Sequence, residues 1–157
     1  MSEKWAGQVI AIQITSQAGE KMVSVHEVKA IAGKGLEGDR YLTEKGKFSD
    51  RPGPARQLTL IELESIEALQ HEDSVELSPL ESRRNIVTRG VPLNHLVNRK
   101  FKLGDVVARG VKLCEPCEYL EEVTQKKVII GLTHRGGLRA EILQGGIIRV
   151  GDKIQPA

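Results

Sequence analysis

Short β-type segments separated by glycine turns run along most of the chain. Residues 101–107 and 148–154 share one pattern, in which an apolar residue is followed by Gly, Asp, any residue and another apolar residue. Such turns inside alternating apolar and polar sequence are typical of places where strands bend or begin in a small barrel. Val- and Ile-rich runs at residues 7–15, 23–25 and 28–32 indicate further strands, the first two joined in a hairpin. The sequence therefore predicts a mostly β fold of the α+β class.

Two capping signatures predict helices between the strands. Residues 59–62 read Thr-Leu-Ile-Glu, a capping box, and apolar residues follow at helical spacing. We expect an amphipathic helix of about ten residues there, ending near His71. Residues 78–81 repeat the signature with Pro at the first helical position, although only a turn fits before Asn85. The chain then passes from this turn into a strand at residues 86–87.

A long segment at residues 33–54 fits neither strand nor helix. It contains five glycines and two prolines, and long ordered loops in compact domains usually carry function. A solvent-exposed excursion is the alternative. The tight polar turn at residues 38–40 is followed by the apolar pair Tyr41 and Leu42, which favours a loop that is anchored to the domain.

Both cysteines lie within residues 113–120, where β-type sequence gives way to helix formers. Residues 106–108 and 111–113 predict two short strands before this point. Pro116 suits the first position of a helix, which would place Cys117 in the first helical turn. Free N–H groups and the helix dipole favour the thiolate form there, the form that ligates soft metals, although neighbouring glutamates oppose this effect.

Three other interpretations of the cysteines stay open. The two thiols can be half-buried apolar groups without a chemical role. The spacing of Cys114 and Cys117 also suits a thiol–disulfide pair, but a thioredoxin-type motif requires a βαβ setting that the upstream sequence does not supply. A structural zinc site requires four N or S ligands, and His134 is the only other candidate nearby.

Length and charge limit the classes of protein that the chain can belong to. With 157 residues and 39% hydrophobic content, we expect a single domain spanning residues 1–157. The formal net charge of +2 and pI of ≈ 8.6 favour a small anionic partner. A nucleic-acid surface is the alternative, formed by Arg83, Arg84, Arg89 and Arg99. We expect no nucleic-acid partner, because the charge is small and only five residues are aromatic.

The sequence also bears on location. No apolar run approaches the roughly 18 residues needed to cross a bilayer, and residues 1–5 lack an apolar signal core. Two closely spaced cysteines do not form a disulfide framework, which favours a reducing compartment. We therefore expect a soluble, cytoplasmic protein with no membrane partner.

Arginines lie at two further positions that are suited to anions. Arg83 and Arg84 precede a predicted strand, where they can form either a solvated end or a fork for phosphate or another oxyanion. The glycine pair at residues 136–137 would let a backbone approach a ligand closely. The donors around that pair are His134, Arg135 and Arg139.

Five motifs follow one another along the chain. They are Gly-x-x-Gly-Asp-Arg at residues 35–40, Arg-Arg-Asn-Ile-Val at 83–87, Leu-Cys-x-Pro-Cys-x-x-Leu at 113–120, Arg-Gly-Gly-Leu-Arg-Ala at 135–140 and Gly-x-Ile-x-x-Gly-Asp at 146–152. Together they resemble the MOSC family over residues 9–154. This domain is found at the C-terminus of molybdenum cofactor sulfurases, in the mitochondrial amidoxime-reducing component and as small stand-alone bacterial proteins.

The resemblance implies a coiled, β-barrel-like domain with a few short helices that binds molybdenum cofactor (molybdopterin) or carries sulfur for it. The second cysteine of the motif, Cys117, would ligate molybdenum, and Arg83 and Asn85 would contact the pterin and its phosphate. Arg84 replaces the proline seen in some relatives. The other residues that the resemblance assigns to cofactor binding are Asp39, Arg40, Arg135 and Arg139.

The resemblance also implies an activity. A MOSC protein of this kind would reduce N-hydroxylated compounds with a partner reductase, or move sulfur received from a persulfide donor, because the chain has neither a separate substrate domain nor an aminotransferase-like sulfurase domain. The alternative is a cofactor-free thiol–disulfide or persulfide carrier that uses Cys114 and Cys117 as a pair.

Overall fold

The computed structural model describes residues 4–50 and 53–157. Residues 1–3 and residues 51 and 52 of the long loop lie outside this description. The strands are β1 Gly7–Ile14, β2 Val23–Val25, β3 Glu27–Ile31, β4 Gly35–Leu36, β5 Leu58–Glu62, β6 Ile86–Arg89, β7 Lys100–Leu103, β8 Val106–Leu113, β9 Leu138–Gln144, β10 Gly146–Arg149 and β11 Lys153–Pro156. The α-helices are α1 Leu63–Asp73, α2 Glu118–Thr124 and α3 Ile129–Leu132, and single 3₁₀ turns lie at Pro54–Arg56, Leu80–Ser82 and Leu93–His95.

Seven strands close into a barrel. Their order is β1, β6, β5, β9, β8, β7 and β11, and β11 pairs with β1 to complete the ring. β5 and β6 run parallel, whereas the other neighbours in the ring are antiparallel. β2 forms the predicted hairpin with β1, and β10, β3 and β4 make a separate three-stranded sheet. The predicted mostly β, barrel-like fold with a few short helices is confirmed.

Strands β5 and β6 are buried on both faces. Leu60 and Ile86 pack into the barrel core, whereas the next residues, Ile61 and Val87, belong to a second apolar cluster with α1 and α3. Successive side chains of a strand point to opposite faces of the sheet. A strand that is buried on both faces is therefore apolar at consecutive positions. Within the described residues, no helix is long and apolar enough to span a membrane.

The first predicted capping box is wrong, although the helix behind it is present. Residues 59–62 belong to β5, and α1 begins only at Leu63. The hydroxyl of Thr59 accepts a hydrogen bond from the Asn85 N–H at 3.0 Å, across the β5–β6 pair. Burial of this segment on both faces outweighs its local preference for a helix start.

The second capping box and the Gly-Asp turns are confirmed. The Ser78 N–H donates to Glu81 Oε1 at 2.9 Å, and the Glu81 N–H donates back to Ser78 Oγ at 3.3 Å. Gly104 and Gly151 turn the chain into β8 and β11 with φ values of +58° and +92°, which glycine adopts without strain. The two short strands predicted at residues 106–113 are one strand, whose register shifts between Gly110 and Lys112.

Candidate functional site

A small cavity lies where the long loop, the turn before β6 and the cysteine segment meet. Its volume is ≈ 40 Å³. Four arginines line it together with both cysteines: Arg40, Arg83, Arg84, Arg139, Cys114 and Cys117. Three aromatic side chains complete much of the wall: Tyr41, Phe48 and Tyr119. We call this the arginine cavity. Its guanidinium groups make it suited to an anion.

Asp39 and Arg40 anchor the long loop to the barrel. Asp39 is fully buried, and its Oδ1 accepts hydrogen bonds from the Thr15 N–H at 3.2 Å and from Arg40 Nη1 at 3.0 Å. Arg40 Nη2 donates to the carbonyl of Arg83 at 3.2 Å. The loop is therefore fixed at this point, as its sequence indicated. Asp39 itself lies behind the cavity wall, whereas Arg40 forms part of that wall.

Arg83 has bonding capacity that the protein leaves unused. It follows the 3₁₀ turn with a φ of +59° and is only 6% exposed. Nη1 donates to the carbonyl of Glu20 at 2.8 Å, but Nη2 is buried without a hydrogen-bond partner. Burial lowers the pKa of Arg83, and the neighbouring Arg40 cation lowers it further, against the opposing influence of Tyr119, Tyr41 and Asp39. An anion beside Arg83 would relieve both effects.

Arg84 is satisfied by the backbone. Its Nε donates to the carbonyl of Gly136 at 2.9 Å, Nη1 to that of Ser82 at 3.2 Å and Nη2 to that of Cys114 at 3.1 Å. These bonds hold the cysteine segment and the start of β9 against the turn. Arg84 contributes charge to the arginine cavity while its hydrogen bonds stabilise the wall.

Asn85 lies inside the protein and does not line the cavity. Its side-chain oxygen accepts hydrogen bonds from the N–H and the hydroxyl of Thr59, both at 3.1 Å. Its Nδ2 donates to the carbonyl of Gln13 at 3.1 Å. The residue is fully buried and joins β1 to β5. Asn85 therefore acts on the cavity only by positioning the strand that follows Arg83 and Arg84.

The two cysteines differ in exposure. Cys114 is 2% exposed, whereas Cys117 is half-buried. Cys117 is the N-cap of α2 with extended backbone, so the prediction that it lies in the first helical turn is wrong. Pro116 precedes the helix because its fixed φ also suits the extended chain that leads into the cap. Cys117 is the more exposed of the two cysteines that line the arginine cavity, and it also packs against the second apolar cluster.

Cations lie beside the rings of two aromatic side chains that line the cavity. The guanidinium groups of Arg56 and Arg139 lie 5.3 and 5.5 Å from the centre of the Phe48 ring. The ammonium of Lys47 lies 5.4 Å from the centre of the Tyr119 ring, and Tyr119 Oη is buried without a hydrogen-bond partner. Cation–π contacts of this kind help to fix the positions of the Phe48 and Tyr119 rings. Sequence reasoning did not assign a site role to Phe48 or Tyr119. The signal available for Tyr119 was its place inside the cysteine motif.

Arg135 and His134 point elsewhere. Arg135 donates to the carbonyl of Gly131 at 2.7 Å and to Glu72 Oε2 at 2.8 Å, so it joins α3 to α1. The ring of His134 is largely exposed and lies 2.9 Å from Glu115 Oε2. Of these residues, only Glu115 lines the arginine cavity.

The glycine pair serves packing within the protein. A Cβ at Gly136 would lie 2.6 Å from the carbonyl oxygen of Cys114, and a Cβ at Gly137 would lie 2.0 Å from that of Leu60. Both distances are below van der Waals contact. The close approach predicted for a ligand is made instead by the cysteine segment and β5, which fixes the cavity wall.

The side chains that line the arginine cavity suit molybdenum cofactor chemically, but the cavity is too small to hold it in this structure. A thiol suits molybdenum, and guanidinium groups with an unpaired nitrogen suit a phosphate. In the described part of the chain, no three His, Cys, Asp or Glu side chains converge on a metal position, so a metal here would have to bring most of its ligands. A volume of ≈ 40 Å³ holds only about one water molecule, whereas ligand pockets span roughly 300–1,000 Å³. Cofactor binding would therefore require the cavity to enlarge.

Comparison with known families identifies the class. The MOSC domain model matches residues 48–155, more than half of the chain, and the chain belongs to the MOSC domain family. No curated protein matches it.

Solved structures agree with this fold. The YuaD protein from Bacillus subtilis has a TM-score of 0.80 at 15% identity, with 96% of this chain and 97% of that chain covered. YiiM from Geobacillus stearothermophilus has a TM-score of 0.71 at 13% identity, covering 96% and 75%. YiiM from Escherichia coli has a TM-score of 0.67 at 16% identity, covering 96% and 69%. At these identities the likeness concerns the fold.

Proposed function

We propose that this MOSC protein binds molybdenum cofactor in the arginine cavity, with the Cys117 thiolate as the protein ligand to molybdenum. One observation supports this most directly: the half-buried Cys117 lines the same cavity as Arg83, one of whose guanidinium nitrogens is buried without a hydrogen-bond partner. The thiolate meets the preference of molybdenum for a soft ligand, and the guanidinium meets the phosphate of the cofactor.

The remaining residues have separate duties in this proposal. Arg83 and Arg139 contact the phosphate and the pterin, since both line the cavity with nitrogens that can be redirected to a ligand. Arg40 and Arg84 keep their bonds to the backbone and add positive potential. The residues outside the cavity hold its lining in place. Asp39 binds Arg40, Asn85 positions the strand after the arginines, and Arg135 joins α3 to α1.

The reaction that the resemblance to the MOSC family implies for such a site is a two-electron reduction. An N-hydroxylated compound would take two electrons and two protons, the N–O bond would break, and the products would be the amine and water. The cofactor supplies the redox chemistry when it is bound. The chain holds it through Cys117 and excludes bulk water with the Phe48 loop, and a partner reductase supplies the electrons. Sulfur transfer from a persulfide donor is the other activity open to the same cysteine.

Metal analysis of protein produced in a cofactor-competent host tests the assignment. We expect about one molybdenum per chain in the wild type and in Cys114→Ser, and a loss of molybdenum in Cys117→Ser. Cys114→Ser is the matched control, because it removes the buried thiol of the same cavity. Absence of molybdenum from wild-type protein, in a host that loads another molybdoenzyme, would refute the proposal.

The second candidate is a cofactor-free thiol–disulfide or persulfide carrier. It is favoured by the observation that Cys114 and Cys117 line one cavity three residues apart. Mass spectrometry after mild oxidation distinguishes the two functions. A carrier of the disulfide type would lose two hydrogens through a Cys114–Cys117 bond, whereas two free thiols across a broad range of glutathione potentials would remove this candidate.

A further inference from the structure

Arg83 also borders a second and much larger space. A groove of ≈ 490 Å³ lies between the β1–β2 turn, the turn at Leu80–Ser82 and the C-terminal end of α2. Its walls include Lys21, Met22, Leu80, Arg83 and Val123. We call it the hairpin groove. Its volume lies within the range of small-molecule pockets, and Arg83 is the residue that its lining shares with the arginine cavity.

The charged groups of the hairpin groove favour an anion. Lys21 is exposed at its edge, and Arg83 is buried in its wall. Among the described residues that line it, the one carboxylate is Glu81, and its charge is already engaged. Glu81 Oε1 lies 2.9 Å from Lys126 Nζ and accepts the Ser78 N–H at 2.9 Å. The pKa of Glu81 is lowered because these contacts outweigh the opposing effect of burial.

The rest of the wall combines apolar side chains with the hydroxyl residues Ser78 and Thr124. Leu80 and Val123 are 39% and 37% exposed, which places two of the larger exposed apolar side chains of the described chain at the same groove. Met22 is buried beside them, and its sulfur contacts Arg40 Nη1 at 3.6 Å. Apolar walls with a few convergent polar groups are the usual composition of a site for an amphipathic small molecule.

We propose that the hairpin groove binds a small organic monoanion with an apolar body, such as a short-chain or aryl carboxylate. Arg83 and Lys21 would attract the carboxylate, and Met22, Leu80 and Val123 would contact the body. The proposal goes beyond the function given above, because it requires neither molybdenum nor Cys117. Because Arg83 lines both spaces, a molecule bound in the hairpin groove would lie beside the arginine cavity.

Hexanoate is the probe, titrated into full-length protein that lacks cofactor and followed by amide chemical shifts in two-dimensional NMR. For eight non-hydrogen atoms we expect a Kd on the order of 1 mM, with the shifts concentrated at Lys21, Leu80 and Val123. Hexanol carries the same body without the charge and is expected to bind at least about tenfold more weakly. Equal binding of the two probes, or shifts confined to other surfaces, would overturn the proposal.

Variants separate the groove from other sites. Val123→Asp should weaken hexanoate binding by about tenfold or more through repulsion and lost apolar contact, and Lys21→Gln by about three- to fivefold. Leu143→Asp is the matched control, since Leu143 is 40% exposed on β9 and lies outside the groove lining. A loss in this control equal to that in Val123→Asp would contradict the site.

Cys117→Ser keeps this test distinct from the cofactor proposal. Hexanoate should bind Cys117→Ser as it binds the wild type, whether or not molybdenum is found in protein from a loading host. Loss of hexanoate binding in Cys117→Ser would place the probe in the arginine cavity and would overturn the assignment to the hairpin groove, while leaving the cofactor assignment to be decided by metal analysis.

Discussion

The turn before β6 places two neighbouring arginines in opposite situations, although both line the arginine cavity. Arg84, like the adjacent Asn85, gives its donors to backbone carbonyls, and Asn85 also accepts from Thr59. Arg83, like Tyr119, keeps a buried polar atom without a partner. Buried polar groups in folded proteins are almost always paired, and an unpaired one costs about 1–3 kcal/mol. The bonds of Arg84 and Asn85 are therefore complete within the protein, whereas in the proposed function a ligand would supply the partner that Arg83 lacks.

The strongest test of this difference is to replace Arg83 and Arg84 by alanine, one at a time. Arg84→Ala should lower the free energy of unfolding by about 3 kcal/mol, because three backbone carbonyls lose charged donors in a buried setting. Arg83→Ala should change it by less than about 1 kcal/mol, since it loses one bond to the Glu20 carbonyl but relieves burial of a cation beside Arg40. Urea denaturation at fixed pH measures both.

Arg109→Ala provides the reference for a surface arginine. Arg109 is 46% exposed and lies 4.0 Å from Glu141, so its removal should stay within about 0.5 kcal/mol. If Arg83→Ala destabilised the protein as much as Arg84→Ala, then Arg83 would be a structural residue like its neighbour and the comparison would fail.

The sequence predicted the parts of this structure that local chemistry decides. The apolar spacing of Ile66 and Leu69 predicted α1, and the Gly-Asp turns predicted where β8 and β11 begin. The box at Thr59 was misassigned because burial of β5 on both faces depends on α1, β6 and β9 together. No local pattern contains that information.

The same limit applies to the candidate site. The motifs predicted that Arg83, Arg139 and Cys117 would meet, and the structure places all three on the arginine cavity. They could not predict that Arg135 faces Glu72 or that Asn85 is fully enclosed, since the direction of a side chain depends on elements distant in sequence. Arg83 and Arg84 are adjacent in one motif, yet Arg84 bonds to three backbone carbonyls while Arg83 keeps one guanidinium nitrogen without a partner.

The second prediction sharpens the comparison at the level of binding. If Arg83 meets the phosphate of the cofactor, Arg83→Ala should lower cofactor affinity by roughly thirty-fold or more, about 2 kcal/mol. Arg83→Lys should restore only part of it, because an ammonium keeps the charge but loses the planar fork. Cofactor retention through gel filtration, measured beside the thermal midpoint, checks both variants. Equal retention in all three proteins would make Arg83 a bystander.

The third prediction concerns the cover of the cavity. Phe48 is held between Arg56 and Arg139, and removing its ring should favour opening by about 1 kcal/mol. We expect iodoacetamide to alkylate Cys117 about fivefold faster in Phe48→Ala than in the parent, measured in a Cys114→Ser background. Val23→Ala, a change at an exposed position of β2, is the control. An unchanged alkylation rate in Phe48→Ala would show that another segment controls access.

The smallest expected effect concerns Glu62, whose neighbour Glu64 has an Oε1 atom that is buried without a hydrogen-bond partner. Burial raises the pKa of the neighbouring Glu62, and the Glu64 carboxylate raises it further, against the Leu93 N–H. A raised folded-state pKa stabilises the fold below about pH 4.5, and this contribution is lost as pH rises through the folded-state pKa. Glu62→Gln should therefore match the wild type in urea denaturation near pH 4 and exceed its stability at pH 7, by no more than about 1 kcal/mol because Glu62 is partly exposed. If Glu62→Gln instead became less stable than the wild type as pH rises from 4 to 7, the fold would prefer the charged form of Glu62.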